Sequence, residues 1–267
     1  MICDTHTHSK YSFDGSETID AMCAEALRRG ISVLAVTDHT EILENKRFGA
    51  AEAARLAAQR TAVRVAQERY PTLKLLYGCE LGQPYFNPVW AKRMQEYPFD
   101  YIIGSVHFFR GDIDLYEVLY TPGNRDERID EYFNDTVSLI QEGGFHALGH
   151  LDYILRRMEG CFAGAPSYLE YRGRIEEILE LLVARDMALE INTSGLRKWH
   201  KSLIEQWILE RFYELGGRII TIGSDAHMRD DLGAGFSEAC ELLEAAGFHE
   251  YAYYEGGEPI FVPLKGE

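Results

Sequence analysis

The sequence predicts an α/β protein whose parallel strands close into a barrel. Short apolar runs suited to buried strands alternate with helical stretches about seven times along the 267 residues. No low-complexity linker or internal repeat interrupts the alternation, so residues 1–267 read as a single domain. Histidines and acids recur just past the predicted strands, the end at which such barrels carry their chemistry. Repeated strand–helix units imply right-handed crossovers and a parallel sheet, and seven of them favour a barrel over an open sheet.

The elements follow in order. The first strand opens the chain and runs into Asp4-Thr-His-Thr-His8, with a further carboxylate at Asp14. Residues two apart on a strand share a face, so His6 and His8 can reach one metal. Thr18 to Arg29 reads as a helix stopped by Gly30. Ser32 to Val36 is a buried parallel strand ending in Thr37-Asp38-His39. Phe48 to Arg69, rich in Ala, Arg, Gln and Glu, is a long helix stopped by Pro71. Leu73 to Tyr77 is the third strand, ending Gly78-Cys79-Glu80, and a shorter helix follows near Val89 to Glu96. Tyr101 to Ile103 is the fourth strand, leading to Gly104-Ser105-Val106-His107. Phe108 to Asn124 lacks periodicity, and its aromatics and glycines suggest a functional loop, a lid over the substrate. Arg125 to Glu142 is helical, and a brief strand near Phe145 to Leu148 leads into Gly149-His150-Leu151-Asp152. Ser167 to Arg185 is a helix, Ala188 to Ile191 the sixth strand, and Leu203 to Leu215 a helix closed by Gly216-Gly217. Arg218 to Ile222 is the seventh strand, ending Gly223-Ser224-Asp225-Ala226-His227. A last helix, Phe236 to Ala246, precedes an aromatic tail with a Gly256-Gly257 turn.

Acidic residues outnumber basic ones by 43 to 27, for a net charge of −16. That argues against nucleic acid or an anionic membrane as partner, although bound metals can reverse the field locally for a small anionic substrate. The five cysteines are odd in number, widely spaced and include no C-x-x-C pair, which argues against a disulfide framework or zinc ribbon. No apolar run approaches a membrane span and the N-terminus lacks a signal pattern, so the expected location is the cytoplasm.

Six of the nine histidines (His6, His8, His39, His107, His150 and His227) sit at strand ends together with Glu80 and Asp225. One such histidine is ordinarily a satisfied polar residue. Six converging on one mouth would repel one another when protonated and cost desolvation when neutral. Divalent metals resolve that conflict, and imidazole with carboxylate suits Zn, Fe, Mn or Co. Glu80, in the middle of the set, is the natural bridging carboxylate. Asp38 and Asp152 flank ligands and could orient imidazoles, or else cap helices or lie on the surface. Cys79 should face the core. His146, His200 and His249 are read as non-ligands, with His200 a weak candidate for substrate contact.

Taken together, His6-Thr-His8, Thr37-Asp38-His39, Gly78-Cys79-Glu80, Ser105-Val106-His107, Gly149-His150 and Ser224-Asp225-Ala226-His227 resemble the PHP (polymerase and histidinol phosphatase) superfamily over nearly the whole chain. The Gly-Ser-Val-His-Phe and Gly-His-Leu-Asp-Tyr segments and Leu189-Glu-Ile-Asn-Thr-Ser-Gly-Leu-Arg197 are similar to its monofunctional histidinol-phosphate phosphatase branch. The resemblance implies a distorted (β/α)7 TIM-like barrel with two to three divalent ions, Zn, Fe or Mn, at the C-terminal strand ends. By position, His6, His8, Glu80 and Asp225 would hold one ion, Glu80, His107 and His150 a second, and Asp14, His39 and His227 a third. Asp14 departs from the histidine many relatives carry there, and its Asp-Gly context also suits a turn. Glu80, Asp14 and His227 are the expected catalytic members.

Clustered metals favour hydrolysis of a phosphate monoester by in-line attack of a metal-bridging hydroxide. No nucleophile motif suggests a phosphoenzyme. A monoester also calls for cationic donors, and Arg156 or Arg157, Arg197 and Lys198 follow strands on the expected face, with Ser105 a lesser hydroxyl donor. Solvent-exposed arginines are the alternative. The expected substrate is L-histidinol phosphate, whose amine and imidazole suit an acidic rim, and the expected enzyme is a monomer or homodimer. The alternatives are a phosphoesterase acting on nucleotides or nucleoside bisphosphates, an amidohydrolase-like C–N hydrolase, and a non-catalytic polymerase-type module.

Overall fold

A computed structural model describes residues 1–159, 161, 166–198 (without the Lys198 side chain) and 203–264. In chain order its first half comprises β1 (Ile2–Asp4), α1 (Ile19–Arg28), β2 (Ile31–Val36), β3 (His39–Glu41), α2 (Ala50–Arg69), β4 (Lys74–Gly82), α3 (Pro88–Met94), β5 (Tyr101–Ser105), β6 (Phe108–Phe109), β7 (Ile113–Asp114) and α4 (Arg125–Glu142). The second half comprises β8 (Ala147–Leu148), α5 (Tyr153–Met158), α6 (Arg172–Ala184), β9 (Ala188–Asn192), α7 (Gly195–Lys198), α8 (Gln206–Glu214), β10 (Ile220–Gly223), α9 (Phe236–Ala245), β11 (Glu250–Glu255) and β12 (Glu258–Pro263). Helix starts follow local chemistry. Thr18 accepts a hydrogen bond from the Ala21 amide at the head of α1, and Asn87 accepts one from Trp90 ahead of Pro88 in α3.

The main sheet runs β1-β2-β4-β5-β8-β9-β10, all parallel, so the seven expected strands all form. They are short and apolar because helices cover their outer faces. Val33, Leu34, Ala35 and Val36 of β2 and Ile220 and Ile222 of β10 are almost wholly buried, each large aliphatic contributing ~1.5–3 kcal/mol. Past β1 the chain closes the sheet on β10. The amide of Thr5 donates to Ile222, that of Asp225 to His6 and that of His8 to Ala226, at 3.1, 2.7 and 2.8 Å. The result is a seven-stranded barrel, distorted at one place.

That distortion is β3, which the sequence analysis did not identify as a separate strand. β2 pairs with Lys74–Tyr77 of β4 and then leaves, and β3 takes over the pairing from Glu80 to Gly82. Continued pairing lengthens β4 to nine residues, so Glu80 lies inside a strand rather than past its end. Other expectations also shift. The 108–124 loop contains the small β6–β7 hairpin, and the helix expected from Ser167 divides into a 3-10 turn, Tyr168–Tyr171, followed by α6. The 203–215 helix begins only at Gln206, and the short helix α5 was not foreseen.

The aromatic tail folds as the β11–β12 hairpin and covers the N-terminal end of the barrel. The Tyr251 hydroxyl donates to the Met1 carbonyl, the amides of Gly256 and Gly257 bond Asp100 ahead of β5, and Lys74 at the start of β4 pairs with Glu255. Among the described residues no helix is long and apolar enough to cross a membrane.

Candidate metal centre

The opposite, C-terminal end collects the strand-end histidines. Alternation along the β1 extension turns His6 and His8 to the same side, β3 and β4 bring His39 and Glu80 side by side, and β5 and β8 deliver His107 and His150. Glu80 lies at the centre with 1% of its surface exposed. Its Oε2 is 3.2 Å from His6 Nε2, 3.4 Å from His8 Nε2 and 3.0 Å from His39 Nδ1. Its Oε1 is 2.9 Å from His150 Nε2 and 3.2 Å from His107 Nε2. Asp225 Oδ1 lies 3.4 Å from His8 Nε2, and Asp14 Oδ2 lies 2.8 and 3.6 Å from the Nε2 atoms of His227 and His39. All nine expected ligand residues therefore meet in one mouth.

Does this donor set suit metal ions? Two pairs of imidazole Nε2 atoms face each other, His6–His8 at 3.0 Å and His107–His150 at 3.1 Å. Two nitrogens bound about 2.0–2.1 Å from one tetrahedral ion would lie roughly 3.3 Å apart. Buried Glu80 Oε2 and His39 Nδ1 lie 3.0 Å apart without hydrogen-bond geometry, and His150 Nδ1 is buried without a hydrogen-bond partner. Four tightly grouped donor sets result: His6/His8/Asp225, Glu80/His107/His150, His8/His39/His227 and His39/Glu41/His107. The residues fit divalent cations.

In four of the six rings the far nitrogen faces a partner. His6 Nδ1 faces Glu190 Oε1 at 2.6 Å, His107 Nδ1 faces Glu41 Oε1 at 2.8 Å, His8 Nδ1 faces the Ser12 hydroxyl and His227 Nδ1 the Asp225 carbonyl. With those N–H groups engaged, the neutral form of each of these rings turns its Nε2 lone pair inward. Two buried candidate ligands have positive φ, His150 at 21° and Asp225 at 52°, strain that the surrounding bonds must hold.

Charge is badly balanced here without cations. Burial opposes protonation, yet Glu190, Glu80 and Asp225 hold His6 well above the ordinary imidazole range, and Glu41 and Glu80 do the same for His107. Against the same burial, Glu80 and Asp14 lift His39 to about 10. Burial alone would raise Glu80, but His6, His107 and His39 keep it well below the usual carboxylate range. His8 goes the other way, pushed far down by burial beside His227 and His39. An excess of carboxylates thus draws positive charge to this mouth, which protons or divalent ions can supply.

The other expected residues fall elsewhere. Asp38 and Asp152 do not orient imidazoles. Asp38 accepts from the amide and hydroxyl of Ser9, and Asp152 pairs with Arg156 and accepts from Tyr168, because both side chains turn away from the mouth. The carboxylates that do touch imidazole Nδ1 atoms are Glu190, on His6 far away in sequence, and Glu41, on distant His107 and on neighbouring His39. An acid within the apolar Ala188–Asn192 strand was the one available signal for Glu190. Ser105 donates its hydroxyl to Glu80 Oε1. Arg156 is buried, Arg157 bonds the Tyr116 carbonyl and covers that ring, and Arg197 bonds the Ser224 and Asp225 carbonyls and pairs with Asp231. None of these four lines the mouth cavity of about 430 Å³, whose walls include Phe13, Asp14, Asp114, Tyr116, Glu117 and Tyr153 besides the histidines. The Lys198 side chain and His200 lie outside the described residues. Cys79 is buried, as expected, His146 sits at the far end of the barrel and His249 is exposed.

Comparison with known proteins matches this arrangement. The PHP domain family model covers residues 4–194, more than half of the chain. A Thermotoga maritima protein named "Probable histidinol-phosphatase" is 32% identical over 98% of this chain and 99% of its own length. A histidinol-phosphatase of Lactococcus lactis is 30% identical, with 95% and 94% covered. A crystal structure of the Lactococcus lactis histidinol phosphate phosphatase, in complex with zinc, L-histidinol and phosphate, superposes with a TM-score of 0.81 at 26% identity, covering 97% of this chain and 98% of that one. With the barrel, the converging strand-end ligands and the full-length relatives in agreement, this chain belongs to the PHP domain family.

Proposed function

We propose that this chain is a metal-dependent phosphomonoesterase that hydrolyses L-histidinol phosphate to L-histidinol and phosphate. The observation that carries the reading is the pair of inward-facing Nε2 couples on either side of buried Glu80. Full-length similarity to histidinol-phosphatases, one of them crystallised with zinc, L-histidinol and phosphate, supports the substrate. Two to three ions, Zn, Fe or Mn, would be held by His6, His8, Glu80 and Asp225, by Glu80, His107 and His150, and by Asp14, His39 and His227. When bound, such ions supply Lewis acidity toward water and toward the phosphoryl oxygens.

The chain's own groups supply the remainder. Glu80 at the centre and the Asp14–His227 pair at the solvent edge stand where the phosphoryl group would react. Asp114 and Glu117, with the rings of Phe13, Tyr116 and Tyr153, offer the substrate's amine and imidazole an acidic, aromatic wall. The described cavity walls carry no serine, threonine or cysteine side chain, and the Ser105 hydroxyl is held by Glu80, which favours direct transfer of the phosphoryl group to water. Arg197, bonded to two carbonyls of the Asp225 segment, braces that ligand. The net charge of −16 accords with a small substrate rather than nucleic acid or a membrane surface, and we take the enzyme to act in the cytoplasm as one barrel domain, monomeric or homodimeric.

The test is phosphate release from L-histidinol phosphate by metal-reconstituted protein, beside nucleotides, nucleoside bisphosphates, sugar phosphates and an aryl phosphate. The expected result is a kcat/KM for histidinol phosphate far above the panel. Uniformly low rates would keep the phosphoesterase and remove the substrate. Net retention at a chiral phosphorus would overturn direct transfer.

A further inference from the structure

Glu190 on β9 is a buried carboxylate, 1% exposed, flanked in the strand by apolar Leu189 and Ile191. Its two oxygens are divided between two ligands from different parts of the barrel. Oε1 lies 2.6 Å from Nδ1 of His6, on the β1 extension, and Oε2 accepts the backbone N–H of His150, just after β8, at 2.8 Å. Asn192 Nδ2 adds a longer bond, 3.3 Å, to Oε2. His150 needs that anchor because its φ is positive, and its carbonyl is held from the other side by the hydroxyl of Tyr132 and the amide of Tyr153. The neighbouring strand leaves room for the pair through a glycine. A Cβ on Gly223 would lie 2.6 Å from Glu190 Oε1 and 2.3 Å from His6 Cβ.

We propose that Glu190 is a positioning residue that couples the two metal positions sharing Glu80, by fixing the His6 ring of one and the His150 backbone of the other with a single carboxylate. The proposal rests on the metal reading above and adds to it a residue absent from every ligand set. Its logic is the acceptor count. Both partners are donors, the Nδ1–H of His6 and the N–H of His150, so the group between them must accept twice. A carboxylate does. A carboxamide has one accepting oxygen and one donating NH2, so in either orientation it meets one of the two donors with another donor. Glu190→Gln, of nearly unchanged size, therefore disturbs one ligand directly and the other through the rotation of the shared group. Glu41 makes a different arrangement. Its Oε1 faces His107 and His39, but its Oε2 accepts from the Gln83 side chain and reaches no second ligand backbone.

The experiment is zinc titration of the metal-free protein against a chromophoric chelator, wild type beside Glu190→Gln, with thermal unfolding of both metal-free forms. The expected result is that the two tightest zinc affinities both weaken about 10–100-fold in Glu190→Gln while the metal-free unfolding midpoint changes little. Wild-type affinity at both positions, or weakening at only one, overturns the coupling. A wild-type protein that binds no zinc, cobalt or manganese would instead defeat the metal reading itself. Should Glu190→Gln fail to fold, the zinc-loaded wild type carries the test. With 15N-histidine labelling, His6 must show a proton on Nδ1, far downfield and slow to exchange. A His6 protonated on Nε2 instead overturns the proposal.

Discussion

The two ends of this barrel each hold buried histidine among aromatic and polar neighbours, and they treat it in opposite ways. At the N-terminal end β5 and the β11–β12 hairpin pack His146 between a backbone donor and aromatic rings. Its Nδ1 accepts the Ile102 amide at 2.8 Å and its ring stacks on Tyr254 and Tyr101. Burial then pushes it down to about 4, a neutral packing residue. At the C-terminal end six histidines are anchored through an outer nitrogen or the backbone, two pairs of inner nitrogens face each other (His6–His8 and His107–His150), and the inner nitrogens of His39 and His227 face carboxylates. The lesson is that burial alone says little about a histidine's role. What distinguishes the ends is whether the last lone pair meets a protein donor or another lone pair.

Substitutions at each end should separate activity from stability, and the largest effect is expected at Glu80. Glu80→Gln, or exhaustive chelation, should lower kcat/KM for histidinol phosphate at least about a thousandfold, with circular dichroism unchanged and activity restored by metal only in the chelated wild type. Survival of most activity would dissolve the contrast drawn here. At the other end, Tyr254→Ala removes a ring stacked 5.2 Å from Tyr101 and 4.9 Å from His146, and should cost ~3–4 kcal/mol in urea unfolding while leaving kcat within about twofold.

Smaller effects sharpen the comparison. Arg197→Ala frees the Ser224 and Asp225 carbonyls and should lower kcat about ten- to a hundredfold with KM nearly constant. A rise in KM alone would instead make Arg197 a phosphate contact. The smallest effect is a pH slope. His146 has a folded pKa of about 4 against 6.5 unfolded, so the unfolded chain binds more protons between those values. Its contribution is complete above about pH 6.5 and disappears as pH falls toward 4, about 3 kcal/mol in all. His146→Leu should be less stable at pH 7 but lose less on acidification than wild type, measured as the difference in unfolding free energy at pH 7 and 4.5. Parallel slopes would show that His146 titrates normally.

Much of this was legible in the chain. Strand-end motifs such as His6-Thr-His8 and Ser224-Asp225-Ala226-His227 carry their chemistry in consecutive residues, and the alternation of apolar runs with helices is a local pattern, so seven strands and nine converging candidate ligands could be named from the sequence and its family resemblance. The partners that anchor those ligands were not legible. Asp38 and Asp152, adjacent in sequence to ligands, bond elsewhere, whereas Glu190 meets His6 across 184 positions and Glu41 meets His107 across 66. β3, which swings Glu41 into place, exists because β4 outruns β2 and exposes its edge. The aromatic tail likewise became a plug only because the barrel's lower rim offered Asp100 and Met1 as acceptors and Tyr101 and His146 as stacking surfaces. The sequence by itself determined the elements and which residues carry lone pairs and charge. The tertiary structure alone decided which donor faces which acceptor, because that depends on register and barrel closure across strands far apart in the chain.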